Sequence, residues 1–305
     1  MRQPPPATYF VTSAVLHYLG PSLAVLLFAH VGALGVAWLR IAAAAVVFAA
    51  WRRPWRLLRE PLTLALGATL AAMNCLFYLA IARLPLSTVG AIEFLGPVAL
   101  AALGVRTPRN LFALLLAVGG VAVLTDVRLG GEPLGFVFAF ANCAGFVLYV
   151  LLGHRVANRD AERNGIDQLG ASMLVAAVLV SPFSIGAAAP AFTHATWLLW
   201  GIGVGITSSV LPYVADQLAM ARLARSTYAL MLSLLPATAT VVGLIVLAQV
   251  PTPVEDAGIV LVIGGVALHR ETSRGSSNGT PRRSPPAHKG AALERLPAQP
   301  VGTGE

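Results

Sequence analysis

Glu93 stands alone in the apolar run "STVGAIEFLGPVALAAL", residues 87–103, four residues ahead of Pro97. A carboxylate in such surroundings can hold a proton or pair with an ammonium group. A charge at the centre of a bilayer costs about 2.5–3.5 kcal/mol on insertion scales, so an acid there faces a cavity or a partner. The plainer alternative is a neutral, hydrogen-bonded glutamic acid locking two helices together. Pro97 removes a backbone hydrogen bond at about the same depth and can kink the helix. Arg40, in "AWLRIAAAA", could snorkel outward, pair with Glu93 or bind a carboxylate. Asp216, one turn after Pro212, is either an interfacial residue or, with Tyr213 and Gln217 beside it, part of a gate. Asn74 and Tyr78 are spaced i,i+4 and so share one helical face, as do Tyr213 and Gln217. Such hydrogen-bonding pairs suit either a polar cavity or contacts between helices. His17 reads as a buried neutral histidine, with a proton relay as the other use of an imidazole there.

The elements that carry these residues follow from composition. Hydrophobic residues make up 57% of the 305 and charged ones 11%, with a mean hydropathy of +0.75. Soluble domains carry about a quarter of their residues charged. Runs able to cross a bilayer, about 20 apolar residues each, recur along the chain. Ten spans are expected: 9–29, 34–51, 62–82, 85–104, 108–125, 133–153, 168–187, 196–216, 226–248 and 253–269. Lipid cannot satisfy backbone polar groups, so each span is expected to be helical. The fold class is therefore an all-α integral membrane protein in contact with lipid.

Several functions are excluded or disfavoured. The net charge of +8 is spread over short loops and the C-terminal tail, a topological pattern rather than a nucleic-acid-binding one. Cys75 and Cys143 lie within apolar spans and predict neither disulfide nor zinc. The six histidines are scattered, so no metal site or other cofactor is expected and an intramembrane enzyme is disfavoured. No GxxxxGK[ST] phosphate loop is present. Placing both termini in the cytoplasm puts all but Arg40, Arg83 and Arg128 of the 21 basic residues on the inner side, the expected bias for the cytoplasmic (inner) membrane. Residues 270–305, rich in Gly, Ser, Pro and Arg, are expected to form a disordered basic tail.

An internal repeat organises the spans. A shift of 139 residues aligns "AIARLPLSTVGAIEFLGP" (80–97) with "AMARLARSTYALMLSLLP" (219–236), matching Arg83 to Arg222, Ser87 to Ser226, Thr88 to Thr227 and Pro97 to Pro236. The same shift makes Asn74 and Tyr78 the mates of Tyr213 and Gln217. A second match, shifted by 145, pairs 107–124 with 252–269. Two five-helix repeats are expected, at 9–125 and 133–269. Five is odd, so the second copy is inverted, a design typical of secondary transporters with the site between halves. The GGVA runs of the fifth and tenth spans are small-residue surfaces for helix packing and are open to homodimer contact.

With that layout, "MNCLFYLAIARLPLSTVGAIEFLGPVALAAL" (73–103) and "LPYVADQLAMARL" (211–223) resemble the bacterial threonine/homoserine exporter group of the drug/metabolite transporter superfamily, with two EamA-type domains. The resemblance covers about residues 9–269. It departs at Leu235 before Pro236 and at Gln249, where the family carries acids. The resemblance implies a secondary active exporter of small amino acids exchanging substrate for protons. A substrate and proton site would be drawn from Glu93, Arg40, Asn74, Tyr78, Tyr213, Asp216 and Gln217, with helix breaks at Pro97, Pro212 and Pro236. Export of a purine or a cationic drug is the second transport reading, since Tyr78 and Tyr213 could face a cation.

Overall fold

The computed structural model describes residues 6–104, 107–126, 132–158, 165–222 and 234–268. All regular structure among them is helical: α1 (Pro6–Val25), α2 (Ala33–Arg52), α3 (Pro61–Ile81), α4 (Leu86–Gly104), α5 (Pro108–Asp126), α6 (Pro133–Ala157), α7 (Gly165–Thr193), α8 (Ala195–Gly205), α9 (Leu211–Met220), α10 (Leu234–Leu247) and α11 (Pro253–Leu268). Proline opens α3, α5, α6 and α11, where the missing N–H has no intrahelical partner to lose. The tail from residue 269 and the Ser226–Thr227 pair lie outside the described residues.

Among the described residues five helices are long and apolar enough to cross a membrane: α2, α3, α6, α7 and the continuous stretch Ala195–Met220. Shorter apolar helical stretches run over Val15–Val25, Leu86–Gly96 and Thr238–Leu247. The seventh element differs from the span expected at 168–187. Its Ala-rich end continues the helix through Pro182 and Pro190 to Thr193, because a helix can persist past the edge of its apolar run. Large apolar side chains remain on the outer faces, Phe183 at 83% and Ile245 at 76% exposure, as lipid-facing positions require.

The packing pairs helices far apart in sequence. α2 lies on α7, α5 on α11, α4 on α10, α3 on α6 and α1 on α9. Glycines let some of these axes close up. A Cβ on Gly120 of α5 would stand 2.5 Å from the Gly258 carbonyl oxygen of α11. Arg52 and Asp167 form an ion pair that ties the C-terminal end of α2 to the start of α7.

Residues Ile206–Val210, between α8 and α9, form a π segment. Its cause is local. Pro212 has no N–H to donate to the carbonyl four residues back, that of Ser208, and the ladder shifts to an i−5 bond from Leu211 N–H to the Ile206 oxygen. The freed Ser208 carbonyl is a fixed acceptor inside the bundle.

Candidate functional site

Arg40 uses that acceptor. Its Nη2 donates to the Ser208 oxygen at 2.6 Å and its Nε to Ser209 Oγ at 2.7 Å. The guanidinium also sits over the rings of Tyr78, 5.4 Å from the centroid, and Tyr213, at 5.9 Å, both within cation–π range. Arg40 is only 3% exposed, so the helix break at Pro212 does the work of anchoring a buried cation. The snorkelling reading is corrected. The side chain turns into the bundle because the freed carbonyl and two aromatic faces await it there.

Glu93 is 1% exposed and is held from two helices. Tyr18 Oη of α1 donates to Oε2 at 3.0 Å, and Asn142 Nδ2 of α6 donates to Oε1 at 3.0 Å. Glu93, Arg40, Asn74, Asn142, Tyr213 and His17 line one small cavity, closed in by Met73 and Phe77. Its volume is about 10 Å³, about what one water molecule requires. Arg40 thus bonds to the π segment rather than to Glu93, and the two charged side chains line one space. Asn142 Oδ1 is buried with no hydrogen-bond partner, a cost of roughly 1–3 kcal/mol unless a water or ligand supplies a donor.

The other expected site residues divide. Asn74 Nδ2 donates to the Leu70 oxygen at 2.7 Å and to Tyr213 Oη at 3.3 Å, so these repeat mates meet at the cavity. Tyr78 is fully buried beside Arg40, with an unpartnered hydroxyl. Gln217 does not join them. One turn beyond Tyr213, its amide packs toward Gly153 of α6 and Gly165 of α7. The expectation that all four would line one cavity is corrected: Asn74 and Tyr213 line it, whereas Tyr78 and Gln217, each one helical turn further along α3 and α9, do not. Asp216, 4% exposed, accepts from Ser13 Oγ at 2.5 Å and Tyr149 Oη at 3.1 Å. It bridges α1, α6 and α9. Pro97 and Pro236 fall within the ranges of α4 and α10, and their side chains lie outside those described.

Sequence reasoning missed Tyr18, Asn142, Tyr149, Ser208 and Ser209. Each is a polar residue within an apolar span, a signal that was present but unranked. His17 is buried, as expected, and its ring packs edge-on against Tyr18, Phe146 and Tyr213 on the cavity wall.

The class of protein follows from sequence comparison. Residues 133–270 match the EamA-like transporter family. The chain is 34% identical over 244 residues to the threonine/homoserine exporter RhtA of Escherichia coli (strain K12), covering 77% of this chain and 81% of that protein. It is 33% identical over 252 residues to the threonine/homoserine exporter RhtA of Salmonella typhimurium (strain SL1344), covering 80% and 84%. A solved crystal structure of a protein shares 19% identity, with a TM-score of 0.59 over 86% of this chain and 95% of its own; that likeness concerns the fold alone. This chain belongs to the EamA-like transporter family. It is a multi-pass membrane protein of the transporter class, acting on a small molecule.

Proposed function

We propose that this protein exports small amino acids of the threonine and homoserine kind by proton antiport across the inner membrane, with both termini in the cytoplasm. The observation that carries the reading is the pairing of Glu93 and Arg40 on one buried cavity. A zwitterion presents one ammonium and one carboxylate. Glu93 takes the ammonium or a proton but not both, and that competition couples the two fluxes. Arg40 takes the carboxylate through the part of its fork not used by Ser208 and Ser209, bidentate recognition being the strength of a guanidinium. Asn74, Tyr213 and Asn142 supply neutral hydrogen bonds. The relatives' names support the substrate class.

Ten spans in two inverted repeats support alternating access around this site. Mates of the repeat pack on one another, α2 on α7, α4 on α10 and α5 on α11, and Asn74 meets Tyr213 across the 139-residue offset. A cationic drug is the poorer substrate, because the faces of Tyr78 and Tyr213 that would receive a cation are already occupied by Arg40.

The test is exchange of labelled threonine in proteoliposomes with and without a pH gradient. The wild-type chain is expected to couple efflux to the gradient. Glu93→Gln, which keeps shape and most hydrogen bonding but cannot ionise, should leave folding nearly intact and abolish gradient-driven export. Wild-type rates in Glu93→Gln across a pH series would reduce Glu93 to a structural hydrogen bond.

A further inference from the structure

The core cavity is too small for an amino acid in this conformation, but a larger pocket opens where two connecting turns meet. It lies between the α3–α4 turn with the first turn of α4 and the α10–α11 turn with the first turn of α11. Its volume is about 360 Å³, within the roughly 300–1,000 Å³ of small-molecule sites. Its polar lining is Arg83, Ser87, Gln249 and Glu255.

The walls are built rather than loose. Gln249 Oε1 accepts the Leu86 N–H at 3.1 Å, stitching one turn to the other. Thr252 and Glu255 cap each other at the start of α11, Thr252 N–H to Glu255 Oε2 at 2.8 Å and Glu255 N–H to Thr252 Oγ1 at 3.3 Å, a reciprocal capping box. Arg83 is pinned by its Nη1 bond to the Leu79 oxygen at 2.9 Å and by the Phe138 ring 5.1 Å beneath its guanidinium. Pro85 and Pro251 fix the backbone of both turns. Ser87 is buried at 7% and Glu255 at 2% exposure, so the pocket has a positive wall, a largely desolvated negative wall and hydroxyl and amide donors between them.

We propose that this pocket is a second binding site for a small zwitterionic amino acid, at the mouth of the release path, with Arg83 receiving the carboxylate and Glu255 the ammonium. It rests on the amino-acid reading above and on the orientation that puts these turns outside. The route between the sites is α4 itself. Ser87 in the pocket and Glu93 at the cavity are six residues apart on that helix, roughly 9 Å at 1.5 Å per residue. Substrate leaving Glu93 therefore has a charged station one step outward, before bulk solvent.

Equilibrium binding of labelled L-threonine to the purified full chain in nanodiscs tests this. The Glu93→Gln chain is expected to keep a residual site that is weakened more than tenfold by adding Arg83→Gln and restored in part by Arg83→Lys. At that residual site N-acetylthreonine and threonine methyl ester, each lacking one charge, should compete at least tenfold more weakly than threonine. Glu255→Gln retains the cap acceptor and gives a second variant that should weaken the same site. A Glu93→Gln chain with no residual site, or one whose residual site ignores both Arg83→Gln and Glu255→Gln, overturns the proposal while leaving the central site standing. Absence of threonine binding in the wild-type chain would instead overturn the amino-acid reading and this inference with it.

Discussion

Tyr78 and Gln217 are repeat mates, each one helical turn beyond a residue that lines the cavity, and they are packed differently. Tyr78 packs edge-on against Phe28, beyond the C-terminal end of α1, and under the guanidinium of Arg40. Gln217 lies toward the other end of α1, next in sequence to Asp216, which Ser13 of α1 holds. Both are buried with unsatisfied polar atoms, but Tyr78 orphans one hydroxyl where Gln217 orphans both its Nε2 and its Oε1. Each orphan costs roughly 1–3 kcal/mol. An aromatic and cationic stack offsets that cost at the Tyr78 end. The Gln217 end has glycines as neighbours, and its nearest polar fastening is Asp216. The Gln217 seam is therefore the less well satisfied of the two. In the orientation proposed above that is the cytoplasmic side, where an exporter must admit its substrate.

The largest effect should come at the Tyr78 end. Arg40→Lys keeps the charge but loses the fork that spans Ser208 O and Ser209 Oγ, and threonine export should fall at least tenfold with the protein still folded. Transport within twofold of wild type would show that the π segment does not position this cation. Next comes the fastening of the other seam. Asp216→Ala removes the acceptor of the Ser13 and Tyr149 hydroxyls, while Ser13 Oγ keeps the Pro212 oxygen as acceptor, a loss of roughly 1–3 kcal/mol. Its melting temperature in detergent should drop by several degrees, and an unchanged melt would remove Asp216 from the closure.

Gln217→Met sharpens the contrast from the opposite direction. Losing two orphaned atoms while keeping volume should raise the melting temperature, by roughly 1–3 kcal/mol of stability, and slow exchange severalfold because the seam opens less readily. A lower melting temperature would mean the amide has a partner that the closed conformation conceals. The smallest effect is expected for Tyr78→Phe, which keeps the ring under Arg40. Losing one orphaned hydroxyl should raise stability by about 1 kcal/mol, with export weakened less than threefold. A loss as large as that of Arg40→Lys would make the hydroxyl a substrate ligand and break the asymmetry between the two ends.

Composition, with 57% hydrophobic residues and 11% charged, together with continuous apolar runs of about 20 residues, was enough to establish helices in a membrane, because the polar backbone of such a run must satisfy itself within the segment. The isolated acid at 93 and the break at Pro212 were equally legible, since both are local conflicts with an apolar helix. The sequence also paired Asn74 with Tyr213 through the repeat. It could not say what either charge touches. Tyr18 and Asn142 come to Glu93 from 75 and 49 residues away, and Ser209 to Arg40 from 169. Those partners depend on which faces of α1, α4, α6 and the π segment turn toward one another. Helical period ranks the faces of an amphipathic helix, but these helices are apolar all round and offer it little contrast. Only packing chose the face, and it separated Gln217 from the cavity that its mate's neighbours line.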